Sequence, residues 1–297
     1  MTAIQMISRW PPTVQCAFWV IISGVFMTLQ LAAVRMIVDD VSVFEIILFR
    51  GLFGALVMAP MLIRKGSILL RPNRPGLIWL CGTLAFIANV FFYLSAKHLP
   101  IADITAIHFS RPIFAAVVAA IVLGEALRGS RILAIGLGIV GATIIIRPGI
   151  IDVNIGVLYV LGLVAVQSFN PINRKLLSRS EHPDTVAVWN ILTILPCGLV
   201  FTLFFWTMPT PVQLFWMALI GVMELLNQRV IARAYVQGDA MIVVGFHYTR
   251  LPIAVVVGFM FFGESPDIWI WVGALVIAAA AVILAKGENR VQGDKSP

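Results

Sequence analysis

His108-Phe109-Ser110-Arg111 and His247-Tyr248-Thr249-Arg250 are two copies of one pattern, a histidine followed three residues later by an arginine, each set in an apolar run. On a helix, residues three apart share a face, so each imidazole stands one turn from its guanidinium. A guanidinium stays charged at physiological pH, and its planar fork of N–H donors fits carboxylate or phosphate oxygens two at a time. Arg111 lies ten residues into its run from one end, and Arg250 a similar distance into its own from the other. At about 1.5 Å per helical residue both reach roughly 15 Å, near the middle of a bilayer. An arginine there costs at least about 2.5–3.5 kcal/mol, so each must face a partner or water. Either the two arginines bind an anionic group of a ligand, or they lock helices through Glu224 or backbone carbonyls. The deep charges, Arg50, Arg111 and Arg250 against Glu224 alone, favour the anion.

Glu224, Asn227 and Gln228 form a polar stripe at i, i+3 and i+4 in another apolar run. Glu224 could hold the cationic end of a zwitterion or a coupling proton, or serve as counter-ion to Arg250 or Arg111. His108 and His247 could relay protons or be hydrogen-bonded structural groups. No cysteine or carboxylate stands at ligand spacing beside them, so no metal is expected. Tyr248 and Asn89 complete the candidate substrate-binding set. Pro112 and Pro252 remove the backbone bonds to the carbonyls of His108 and Tyr248, which predicts a kink or a free carbonyl. Arg50 reads as structural, snorkelling outward or pairing with Glu45. Glu125 and Glu264 end their helices at water-facing loops, where capping of neighbouring amides is the default and gating the alternative.

The elements that must position these groups follow from composition. About 60% of residues are apolar and 12% charged, a balance that suits lipid as solvent. Ten apolar runs are approximately 14–36, 44–63, 76–94, 101–123, 132–146, 155–169, 186–206, 214–235, 241–262 and 268–284. With the amino terminus cytoplasmic, Arg9, Arg64, Lys65, Arg71, Arg74, Arg128, Arg131, Arg174, Lys175, Arg179, Lys286, Arg290 and Lys295 fall inside. Only Arg35, Lys97 and Arg147 fall outside, so both termini are expected in the cytoplasm. The net charge of +7 therefore reports topology, and no nucleic-acid partner is expected. Cys16, Cys81 and Cys197 sit in apolar runs and read as core. No signal-peptide cleavage site follows the first run, which is expected to remain.

The two halves match at a fixed spacing of 139 residues without a gap. Besides the His-x-x-Arg copies, Gly124-Glu125 aligns with Gly263-Glu264, Gly82 with Gly221 and Arg35 with Arg174. Five spans per half is an odd number, so the halves insert upside down relative to one another, a device of alternating-access carriers. The expected fold is all-α, ten transmembrane helices in two inverted five-helix repeats, residues 1–149 and 150–297. Ala134, Gly138 and Ala142, echoed by Gly273 and Ala281, form a small-residue ridge for helix packing, with a dimer seam as alternative.

The chain resembles the EamA type of the drug/metabolite transporter superfamily along its whole length. The likeness is carried by Phe49-Arg50 opening a span that ends at Pro60, by Ser110-Arg111-Pro112 running to Leu123-Gly124-Glu125, and by the second copy ending at Phe262-Gly263-Glu264. It implies a helical basket with a central cavity between spans one to four and six to nine, supported outside by spans five and ten. The arginine after Ser110 and Thr249 is not part of that family pattern and points to this branch's own substrate.

The expected function is a secondary transporter or exchanger for a small anionic or zwitterionic metabolite in the inner membrane, as monomer or homodimer. Proton or ion coupling is left open. The alternatives are an exporter of a neutral or cationic compound and a non-transporting partner protein. No His-Glu-x-x-His, paired aspartates or Gly-x-Ser-x-Gly is present, which argues against an enzyme. Neither ATP nor another cofactor is expected, because the sequence lacks a phosphate-binding glycine loop.

Overall fold

A computed structural model describes residues 11–65, 70–123, 129–147, 154–177, 181, 183–237 and 246–293, and every regular element among them is helical. In chain order these are α1 (Pro12–Arg35), α2 (Val43–Lys65), α3 (Pro75–His98), α4 (Ile101–His108), α5 (Arg111–Leu123) and α6 (Gly129–Ile146). Then come α7 (Ile155–Gln167), α8 (Asn170–Leu177), α9 (Pro183–Thr202), α10 (Pro211–Gln237), α11 (Arg250–Phe262) and α12 (Ile268–Gly293). Helices α1, α3, α9 and α10 open on proline, whose fixed φ and missing N–H cost nothing in a first turn.

Among the described residues, four segments are long and apolar enough to cross a membrane: Val14–Arg35, Pro75–His98, Ile101–Val118 and Pro211–Ala234. Five shorter apolar helices accompany them. Leu56, Phe204, Phe259 and Leu275 are 66%, 77%, 66% and 71% exposed, an apolar surface that suits acyl chains rather than water.

Three of the expected spans are broken, and each break has a proline just beyond it. The fourth is interrupted at Phe109-Ser110, the sixth at Ser168-Phe169 and the ninth at Tyr248-Thr249. Pro112, Pro171 and Pro252 have no N–H for the carbonyls four residues back, those of His108, Gln167 and Tyr248. Hydroxyls satisfy other carbonyls at the bends: Ser110 Oγ donates to Ile107 O at 2.7 Å, Ser168 Oγ to Val164 O at 2.6 Å and Thr249 Oγ1 to Phe246 O at 2.6 Å. The sixth break corrects the expected 155–169 span: α7 stops at Gln167, and the chain continues as α8. Likewise α12 runs past residue 284 to Gly293.

The most extensive packing joins α6 to α12, α1 to α10, α3 to α7 and α2 to α9, each pairing a helix before residue 148 with one after residue 153. The core is thus shared between the halves. Its tightest seam is α6 on α12. A Cβ on Gly141 would lie 2.9 Å from the Gly273 carbonyl oxygen, and one on Gly273 would lie 2.7 Å from that of Gly141. Gly138 is filled instead by Ile113 of α5. The small-residue ridge is therefore spent inside the chain.

Because backbone oxygens cannot yield as side-chain tips do, Gly141→Val or Gly273→Val should lower the melting temperature in detergent, by about 1–3 kcal/mol or more of stability. Unchanged melting of both variants would contradict this seam.

Candidate functional site

Arg250 opens α11 with a side chain buried to 8% exposure, and its Nε has no hydrogen-bond partner. Its Nη2 lies 3.4 Å from His247 Nδ1. Across a small void of about 10 Å³, enough for a single water, it faces Thr28 of α1 and Thr105 and His108 of α4. His108 Nε2 and Arg111 Nη1 meet one oxygen, Gln167 Oε1, at 2.9 and 3.3 Å. Arg111, Arg250, His108 and His247 lie within electrostatic reach of one another. Phe109 and Tyr248, equivalent in the sequence register, meet edge to face with centroids 4.7 Å apart. The two His-x-x-Arg copies, on helices from opposite halves, therefore come together at the broken ends of α4 and α11.

The other candidates fall elsewhere. Glu224 Oε2 lies 3.7 Å from Arg50 Nη1, and Glu224 Oε1 accepts from Gln228 Nε2 at 2.9 Å. Arg50 stands 5.9 Å above the Tyr93 ring, whose hydroxyl accepts from Gln30 Nε2 at 3.3 Å. Ser23 Oγ donates to Asn227 Oδ1 at 2.5 Å. Glu224 thus pairs with Arg50. One expectation is corrected here. Arg50 neither snorkels nor pairs with Glu45, because Glu45 accepts from the backbone N–H and hydroxyl of Thr207, both at 2.6 Å. Asn89 donates to Ala85 O in its own helix at 2.8 Å.

A third group closes one end of the molecule. Gly263 ends α11 in the left-handed region, φ 66°, which glycine adopts without strain, and the turn carries Glu264 inward. Its carboxylate pairs with Arg35 at the end of α1 and accepts from the Ile101 N–H that begins α4, at 3.1 Å. Arg35 also donates to Leu99 O at 3.1 Å and covers the Phe262 ring. Glu264 thus caps an amide from the loop that follows α11, with a side chain only 14% exposed. Beside it Arg147 binds Asp267 at 2.5 Å and holds that carboxyl below the usual carboxylate range. Glu125 lies outside the described residues.

Gln167 and Thr28 escaped the sequence reading. Gln167 and Thr28 were findable: each is a polar residue in an apolar run, and they occupy equivalent positions in the 139-residue register.

Residues 14–147 match the EamA-like transporter family. A riboflavin transporter of Vibrio cholerae is 31% identical over 204 residues, covering 68% of each chain. The chain belongs to the EamA-like transporter family. An S-adenosylmethionine uptake transporter of Rickettsia bellii is 25% identical over 253 residues, covering 85% of this chain and 87% of its own. A pseudopaline exporter of Pseudomonas aeruginosa is 24% identical over 247 residues, covering 82% and 86%. A solved crystal structure superposes with a TM-score of 0.62 over 94% of this chain and 98% of its own, at 15% identity, a likeness of fold. This EamA-like protein is a multi-pass membrane transporter of a small molecule, not an enzyme.

Within this EamA-like chain the Arg50–Glu224 pair is a structural strut. Removing Glu224 leaves the Arg50 guanidinium uncompensated at 7% exposure. Glu224→Ala should cost about 1–3 kcal/mol, less than a fully buried pair because Glu224 is 27% exposed. The Arg50→Ala/Glu224→Ala double variant should recover part of the loss in a double-mutant thermal-melting cycle, and strict additivity would contradict the strut.

Proposed function

We propose that the protein is a secondary active transporter of the inner membrane that moves a small anionic or zwitterionic metabolite by alternating access, with Arg111 and Arg250 receiving its anionic group. The observation that carries this reading is the buried Arg250 guanidinium with an unpartnered Nε, within electrostatic reach of a second arginine from the other half. Like charges at one buried site repel, and an oxyanion between them relieves both the repulsion and the missing hydrogen bond. Riboflavin, S-adenosylmethionine and pseudopaline, named for the relatives, set the size class.

The mechanism rests on two inverted repeats, residues 1–149 and 150–297, with both termini cytoplasmic. The packing supports it. Shifting residue numbers by the repeat spacing exchanges the α1–α10 contact with the α3–α7 contact, and carries α2–α9 and α6–α12 onto themselves. A fold whose contacts map onto one another in this way can trade one closed end for the other. The Arg35–Glu264–Ile101 bridge joins α1, α4 and the end of α11, and so holds shut the end of the site proposed to face outward. Energy comes from a gradient or an exchanged solute.

Two experiments test this reading. In proteoliposomes, Arg111→Ala and Arg250→Ala should each reduce uptake or binding of the cargo by about ten- to a hundredfold, the worth of a charge-assisted hydrogen bond, with folding intact. Undiminished transport would remove the anion site. In a cysteine-free background, Thr105→Cys should resist an impermeant maleimide applied from the Arg35 face. Glu264→Gln should speed that labelling, and the Arg35→Glu/Glu264→Arg exchange should restore protection. Equal labelling in all three would discard the bridge as a closure.

A further inference from the structure

Gln167 is an uncharged residue at the meeting point of two donors. Arg111 can only donate, so the side-chain amide must turn its oxygen toward that guanidinium. His108 Nε2 lies 2.9 Å from the same oxygen, so that nitrogen carries a proton. One amide oxygen from α7 thus engages two donors from the broken α4–α5 span in the other half. Its position at the last residue of α7 matters, because Pro171 frees the Gln167 carbonyl and the helix axis is interrupted at that residue. At the equivalent position in the repeat stands Thr28, whose hydroxyl is committed to Gly24 O at 2.8 Å and which lines the void beside Arg250. The two halves of the site therefore differ. The Arg250 half has a donor atom open, whereas the Arg111 half has an internal acceptor in place.

We infer that Gln167 is a specificity-determining residue: its side-chain oxygen stands in for a ligand oxygen on Arg111 and His108, and an incoming oxyanion must displace it. This inference rests on the anion site proposed above. A neutral amide oxygen yields to a carboxylate or phosphate oxygen, because hydrogen bonds to a charged acceptor are roughly twice as strong. A neutral carbonyl on a ligand gains nothing by the same exchange. Gln167 would thus pass anionic ligands and reject neutral carbonyl compounds of similar shape.

The test uses the full-length protein in detergent, with inorganic phosphate as probe against chloride at matched ionic strength and thermal stabilisation as readout. Gln167→Ala and the near-isosteric Gln167→Met should lower the half-stabilising phosphate concentration by about three- to tenfold, the range of one net hydrogen bond. Gln167→Glu, which installs a permanent carboxylate, should abolish the phosphate response without lowering the melting temperature in chloride. A merely structural glutamine would weaken the response in all three variants, and that result, or no change in any, overturns the inference. If the wild-type response is absent or survives Arg111→Ala and Arg250→Ala, the anion site itself fails, and this proposal fails with it.

Discussion

Two guanidinium groups from opposite halves of the chain, that of Arg250 buried and that of Arg111 half-buried, lie within electrostatic reach, and neither can shed its proton to escape the other. Each costs at least about 2.5–3.5 kcal/mol to hold at bilayer depth, and their mutual repulsion grows as water is excluded. The rest of the site answers that constraint. Histidines stand beside both arginines, a glutamine oxygen accepts from one of them, and threonines line the space before the other. Arg50 pairs with Glu224 in a separate group.

The broken spans follow from the same requirement. An unbroken helix would tie every carbonyl near the arginines to its own backbone, whereas prolines after His108, Gln167 and Tyr248 withdraw the usual donor four residues on, and Tyr248 O accepts from the Leu251 N–H instead. Non-helical backbone is tolerated at that depth only where protein or a hydrated cavity surrounds it, so the breaks and the charges support each other. Away from the centre the structure has no such freedom. The glycine seam of α6 on α12 fixes one side, and the Arg35–Glu264 bridge fixes one end.

Much of this was legible in the sequence. The apolar runs gave the membrane class, and the paired His-x-x-Arg copies gave the residues that meet at the centre. The register that equates Arg35 with Arg174 and Glu264 with Glu125 was visible, but not that Arg35 would reach Glu264, because a contact across halves leaves no periodic trace along the chain. Glu224 shows the same limit. Its depth and charge were readable, yet its partner was set by the packing of α10 on α2, which put Arg50 rather than Arg250 within reach. Gln167 was overlooked because a single amide in an apolar run carries no pattern of its own, and only its alignment with Thr28 marks the position.

The central claim is that the two His-x-x-Arg segments touch, and a cysteine pair replacing Phe109 and Tyr248 measures that contact directly, since the native rings are 4.7 Å apart. Mild oxidation in native membranes, in a background free of other cysteines, should give a rapid intramolecular disulfide in the Phe109→Cys/Tyr248→Cys variant. Failure of that pair to cross-link either by oxidation or through a short bifunctional thiol reagent would contradict the account.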